Sequence, residues 1–266
     1  MHKGIGGLIA RYLNAPVRGY AAPGLVPVET LVATLKPCDV ILVEGDRRIS
    51  VAIKYLTQST WSHAALYVGD SLGETHGPGP HYIEADLTDG VRAVGVSGLS
   101  GLHVRICRPV GLSEADRSRV IAYAVERIGH RYDLKNVLDL ARFLLPTPPV
   151  PSRMRRRMLA LGSGDPTRAI CSTMIAQAFQ SVRYPILPEI EVVPADRPDC
   201  SQCVREILHI RHHSLFAPRD FDISPYFEVV KPRLAQGFDY ARLEWGSGGP
   251  AGIEPPVQAL PDQGRT

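Results

Sequence analysis

Two short stretches hold the residues with the most reactive chemistry. Trp61-Ser-His-Ala-Ala-Leu-Tyr-Val-Gly69 puts His63 at the head of an apolar, strand-like run, and Ile170-Cys-Ser-Thr-Met-Ile-Ala-Gln-Ala-Phe179 puts Cys171 at the head of a helix-like run. A thiol attacks a carbonyl as thiolate, and a neighbouring imidazole is its usual base. A helix start favours that ionisation, because its first N–H groups lack intrahelical partners and the positive end of the dipole lies there. The same N–H groups can bind the oxyanion that forms on an attacked carbonyl. Each residue alone has an ordinary explanation, a small buried cysteine or a histidine at the rim of a core. As a pair they read as a nucleophile and its base, with the base first in the chain.

An imidazole in this role needs a third group to hold it. The next strand-like run, His81-Tyr-Ile-Glu-Ala-Asp86, offers Glu84 and His81, and a hairpin partner strand sets either beside His63. Glu84 is the stronger candidate, since a carboxylate both orients the ring and stabilises the imidazolium. A solvent-facing strand carboxylate is the competing reading of Glu84. Trp61 and Ser172, next to the pair in sequence, are candidate auxiliary or substrate-binding residues.

The elements that must position these groups follow from periodicity and turn chemistry. A first strand is predicted at Asp39–Val43, then a short helix from the spacing of Ile49, Ala52, Ile53 and Leu56. Strands at His63–Val68, Tyr82–Ala85, Val91–Val96 and Leu102–Cys107 are separated by Gly-Pro-Gly-Pro at 77–80 and Asp-Gly at 89–90. Successive strands without intervening helices imply an antiparallel sheet. Ser113 caps a helix with Glu114 and Asp116 in its first turn and a stripe of Val120, Ile121, Ala124, Val125 and Ile128, ended by Gly129. A further helix is predicted at Leu134–Leu145, stopped by the proline run from Pro146, and the segment 146–166 reads as a flap over a site or as disorder. Met174, Ile175, Ala178, Phe179 and Val182 give the Cys171 helix a buried face, and Tyr226–Val230 reads as a last strand. The fold class is α+β, an antiparallel sheet of about five to six strands packed against the Cys171 helix and further helices. Residues 1–27 read as an N-terminal extension, flexible or amphipathic, 28–240 as the folded domain, and 241–266 as a Gly/Pro-rich disordered tail.

Composition narrows the class. The 266 residues are 44% hydrophobic and 21% charged, an ordinary globular balance with material for a core. A net charge of +3 is too weak to argue for nucleic acid. The clustered Arg153, Arg155, Arg156 and Arg157 read as a solvated face, with an anionic lipid headgroup as second reading. Five cysteines form no disulfide framework and suit a reducing compartment. No run approaches the roughly 20 apolar residues of a membrane span. The expected location is the cytoplasm, with peripheral contact at the inner membrane as an extension of it.

A second constellation competes for attention. Cys200-Ser-Gln-Cys203 followed by His209, His212 and His213 contains zinc-type ligands, Cys200, Cys203, His209 and His213, at C-x2-C-x5-H-x3-H. The gap between the pairs is shorter than in common fingers, and Val204, Ile207, Leu208 and Ile210 make a core element with rim histidines the preferred reading. No metal and no cofactor is therefore expected.

The combination of Asp39-Val-Ile-Leu-Val, the Trp61–Gly69 stretch, Tyr82-Ile-Glu-Ala and Ile170-Cys-Ser-Thr-Met-Ile-Ala resembles the circularly permuted papain-like cysteine hydrolases of the NlpC-type superfamily, most of all the YiiX-like branch. There the histidine and polar-residue strands precede the cysteine helix. The resemblance spans roughly 36–232 and includes Gly129-His-Arg-Tyr-Asp, which implies that Tyr132 lies near the cysteine, and the late Phe221–Val229 stretch. The branch has a glycine where Cys38 stands here. The resemblance implies a thiol hydrolase (peptidase, amidase or acyl hydrolase) working through a Cys171 thioester, with His63 as base and a small-molecule, lipid or peptide substrate. A lipid acyltransferase of related fold and a catalytically silent ligand-binding protein are the alternatives. Oligomeric state does not follow from the sequence.

Overall fold

The computed structural model describes residue 15 and residues 26–86, 89–130, 170–194 and 204–232. The predicted helix at 134–145, the segment 146–166, the arginine cluster, Tyr132, Cys200, Cys203 and most of both tails lie outside the described residues. The elements are α1 Val28–Thr34, β1 Val40–Glu44, α2 Arg48–Thr57, β2 His63–Gly69, β3 His81–Asp86, β4 Gly90–Gly95, β5 His103–Pro109, α3 Glu114–Val125, α4 Ile170–Ser181, β6 Glu189–Pro194, β7 Val204–His209, α5 Pro218–Ile223 and β8 Phe227–Val230. Short 3-10 turns at Gly73–His76, Val96–Leu99 and His213–Leu215 complete them. Among the described residues no helix is long and apolar enough to cross a membrane.

Six strands form one antiparallel sheet in the order β4-β3-β2-β1-β5-β8, which bears out the α+β class and the antiparallel expectation. The central strands are apolar at nearly every position because both sheet faces are covered. Val40, Leu42, Ala64, Leu66, Val68, Ile83 and Ala85 face one core, shared with α3 and α4. Ile41, Val43, Ala65, Tyr67, Tyr82 and Ile106 face a second, covered by Leu31 and Leu35 around α1 and by Val96 and Leu99. On α4, Met174, Ile175, Ala178 and Phe179 are fully buried. The Phe179 ring meets Phe227 edge-on at 5.2 Å and Tyr184 at 5.5 Å, and Phe221 meets Phe227 at 5.5 Å, tying α4 to α5 and β8.

Some boundaries move for physical reasons. β1 starts one residue late because Asp39 closes a turn: its N–H donates to the Lys36 carbonyl and its carboxylate accepts the Lys36 N–H. That carboxylate, fully buried, also takes a two-pronged contact from Arg108, Nε to Oδ1 at 2.8 Å and Nη2 to Oδ2 at 2.7 Å. Cys38, just before it, has φ +73°, the left-handed backbone that glycine adopts without steric penalty. Its buried thiol donates to the Arg117 carbonyl at 3.4 Å, so the position is structural. Ser113 caps α3 by accepting the Asp116 N–H. The helix ends at Val125, and Gly129 comes after a further turn, with φ +88°, its N–H donating to the Val91 carbonyl.

The reading of Val204–Ile210 as a core element is corrected. β6 and β7 form a separate two-stranded hairpin, with Ile190 opposite Leu208, and Ile190, Val192, Val204, Leu208 and Ile210 are all exposed. The apolar alternation is that of a strand, but no second layer of described residues buries it.

Candidate active site

β2 begins at His63, and the residues ahead of it are pinned. Ser62 donates its N–H to the Val43 carbonyl at 3.1 Å, and its hydroxyl accepts the Gly45 N–H at 2.9 Å. Trp61 is buried, its indole N–H donates to Asp222 at 3.0 Å, and Arg105 lies over its ring at 4.9 Å. The strand start therefore cannot fray, and the His63 backbone is fixed between β1 and the residues that follow.

Across β2, Glu84 of β3 lies opposite Ala65. Residues opposite in an antiparallel pair share a face, and His63 is one diagonal step away on that face. His63 Nε2 and Glu84 Oε2 are 2.8 Å apart. The other carboxylate oxygen accepts from Arg92 of β4, Nε at 2.9 Å and Nη2 at 2.7 Å, and Arg92 also reaches Asp89 at 2.7 Å. The Glu84 side chain is 10% exposed and that of His63 is 28% exposed, so the acid is shielded while the imidazole keeps an open edge.

Cys171 is the second residue of α4 and almost fully buried. Its thiolate form is favoured by the adjacent His63 ring and by the backbone N–H groups of Ala64 and Ser172. With Nε2 given to Glu84, Nδ1 is the ring nitrogen left to face the sulfur. The helix start thus supplies one donor and the strand that carries the imidazole supplies another.

The charges are mutually supporting. Burial alone penalises the imidazolium, but the charge and hydrogen bond of Cys171, joined by those of Glu84, outweigh it and push His63 up to about 10. Burial also works against the thiolate, yet His63 and the two N–H donors hold Cys171 below the ordinary thiol range. Burial would raise Glu84, and the bonds and charges of His63 and Arg92 instead hold it at about 2. Cys38 and Cys107, buried without such partners, are pushed up to about 12. The arrangement favours the thiolate–imidazolium form over the neutral pair, with the imidazolium resting on a carboxylate.

The structure thus brings Cys171, His63 and Glu84 together. His81 sits elsewhere: it is buried opposite Gly69 and Gly95, and its Nε2 contacts the His76 carbonyl at 2.9 Å, away from the His63 ring. Ser172 donates its hydroxyl to the Phe216 carbonyl at 2.8 Å, and Trp61 serves as a wall, so both brace the site. Of the zinc candidates, His209 Nε2 contacts Glu191 at 2.7 Å on the hairpin, and His213 stacks against His212 at 4.0 Å. No group of three or more ligand-type residues that could hold a metal occurs among the described residues. Sequence reasoning missed Arg92. The signal was present, since a hairpin closing from Asp86 to Gly90 sets residue 92 opposite residue 84.

No protein-family model matches this sequence, and neither does any curated protein. Among solved structures, the chain is similar to the crystal structure of metalloprotein yiiX from Escherichia coli O157:H7, with a TM-score of 0.44 and 14% identity, covering 75% of this chain and 98% of that one. What the site can do chemically follows from its own geometry.

Proposed function

We propose that this protein is a cysteine hydrolase that cleaves an amide or ester bond, with a fold of the permuted papain-like, NlpC type. The observation that carries the reading is the His63 ring 2.8 Å from the Glu84 carboxylate and coupled to Cys171, whose ionised form the Ala64 and Ser172 N–H groups also favour. The Cys171 thiolate attacks the carbonyl carbon, and the electron pair moves to the carbonyl oxygen. The N–H groups at the start of α4 receive that oxyanion. On collapse, the carbon–leaving-group bond breaks, and the amine or alkoxide takes the proton from imidazolium Nδ1, leaving a thioester. Water then gives a proton to His63 as it attacks, and the acid departs with regeneration of the thiolate. An acceptor alcohol or amine replacing that water converts the same cycle to acyl transfer.

A silent binding protein has no use for a thiolate at neutral pH, so the reactivity of Cys171 is the test. Of the three described cysteines, iodoacetamide at pH 6.5 should label Cys171 fastest, because His63 and the nearby N–H groups hold it below the ordinary thiol range while Cys38 and Cys107 are pushed up to about 12. His63→Ala should slow this labelling about a hundredfold, as burial then drives Cys171 toward the protonated thiol. Labelling of Cys171 that is no faster than that of Cys107, or is indifferent to His63→Ala, removes the hydrolase reading.

A further inference from the structure

A cavity of about 550 Å³ opens between the end of α2, the start of β5 and α5, and the proposed chemistry does not use it. Its walls bring together Lys54, Arg105 and Arg219, with Asp222 as the one carboxylate in the lining and Trp61 as a buried wall. Asp222 is already doubly engaged, by Arg105 at 2.6 Å and by the Trp61 indole. Lys54 is held by Glu44 at 3.1 Å. Arg219 donates Nη1 to the Thr57 carbonyl at 2.8 Å, and among the described residues no carboxylate pairs with it. Even with Glu44 counted, cations outnumber carboxylates three to two around this concavity. Ser59 and Thr60 line the same mouth, the Ser59 hydroxyl accepting the Trp61 N–H at 3.0 Å.

The position in the sheet matters. Ala64, Leu42 and Arg105 lie in one row across β2, β1 and β5. Residues directly opposite share a face, and Ala64 and Leu42 face the core shared with α4, so Arg105 projects on the α4 side. Two strand spacings of about 4.8 Å separate its row position from Ala64, whose N–H favours the Cys171 thiolate.

We infer that this cavity binds a phosphoryl group. Two guanidinium forks and an ammonium brought to one cavity by α2, β5 and α5, with Ser59 and Thr60 at its mouth, match an oxyanion with several acceptor oxygens. The bonds from Arg105 to Asp222 and from Arg219 to Thr57 hold both forks in place before an anion arrives. The phosphoryl group comes either from an acyl substrate, which then lies from the cavity toward Cys171, or from free phosphate. The phosphate contact stands apart from the chemistry at Cys171; only its assignment to a substrate rests on the proposed hydrolase.

The test is a titration of the full chain with inorganic phosphate, followed by amide and indole NMR, with chloride at equal ionic strength as control. Phosphate should shift the Ser59 and Thr60 amides and the Trp61 indole saturably, and chloride should not. Arg219→Gln should weaken binding about tenfold or more. Thr60 is exposed, so Thr60→Glu places a negative charge at the mouth without disturbing the core, and it should abolish the shifts with the melting temperature unchanged. Equal responses to phosphate and chloride, or undiminished binding in Thr60→Glu, overturn the site. Two acyl esters, one with a phosphate-bearing leaving group and one neutral, separate the sources. A KM raised by Arg219→Gln for the phosphate ester alone assigns the cavity to the substrate, whereas saturable phosphate binding with both KM values unmoved assigns it to free phosphate. Absence of turnover with either ester counts against the Cys171 reading and leaves the titration standing.

Discussion

Glu84→Gln isolates the part of the site that stabilises the imidazolium. The substitution keeps the size of the side chain and removes the charge from a 2.8 Å contact to His63 Nε2, while Arg92 retains Asp89 as partner. A hydrogen bond to a charged group is worth about 1.5–3 kcal/mol. At 1.36 kcal/mol per pKa unit, that lowers His63 by about one to two pH units. In the wild-type protein the ring should stay protonated until about pH 10. The assay is a histidine-selective 15N titration, which reads ring protonation directly and needs no substrate. The deprotonation midpoint of His63 should fall in Glu84→Gln by the stated amount, and Glu84→Asp should recover part of it. Because the thiolate is a larger influence on His63 than Glu84 is, Cys171→Ser should lower the midpoint further than Glu84→Gln does. A wild-type ring already neutral at pH 8, or an unmoved midpoint in a folded Glu84→Gln, refutes the reasoning.

Other outcomes follow from the same contacts. Glu84 is depressed from 4.5 to about 2, so its contribution is complete above pH 4.5 and is lost as pH falls through 2. Urea unfolding over that range should show roughly 3 kcal/mol of acid-sensitive stability that Glu84→Gln lacks. Asp39→Asn leaves the Arg108 guanidinium without its buried counter-charge and should cost about 3–5 kcal/mol in denaturant melts, with Cys171 labelling retained in the folded fraction. Phe179→Ala removes the fully buried α4 ring that meets Phe227 and Tyr184 and should cost about 3–5 kcal/mol, measured the same way.

The sequence displayed the sheet and the reactive pair because both have strong local signatures. The β2 run is apolar through to its end, Ser113 precedes acidic first-turn residues, and Cys171 opens a period-3.6 stripe, all properties of adjacent residues. Glu84 and His81 could not be separated from sequence, since both lie on β3 and their choice depends on cross-strand register. The register puts Glu84 opposite Ala65 and His81 opposite Gly69. Arg92 follows from register too, and the Asp86–Gly90 closure was the signal that could have placed it opposite Glu84. The hairpin at 189–209 was misjudged because apolar alternation reports which face is apolar, while burial requires a second layer that sequence spacing does not display. The cationic cavity draws on Lys54, Arg105 and Arg219, far apart in the chain and joined only by folding.

The two donors to the Cys171 sulfur have a consequence for partly open states. Ala64 belongs to the strand that carries the base, and Ser172 to the helix that carries the nucleophile. A small separation of α4 from β2 removes the Ala64 N–H and the His63 ring from the sulfur in one movement. Only the Ser172 N–H then remains to offset burial, and Cys171 shifts toward the raised, unreactive range of Cys38 and Cys107. The nucleophile is thus live only in the fully seated molecule, and a loosened one is chemically quiet instead of indiscriminately reactive.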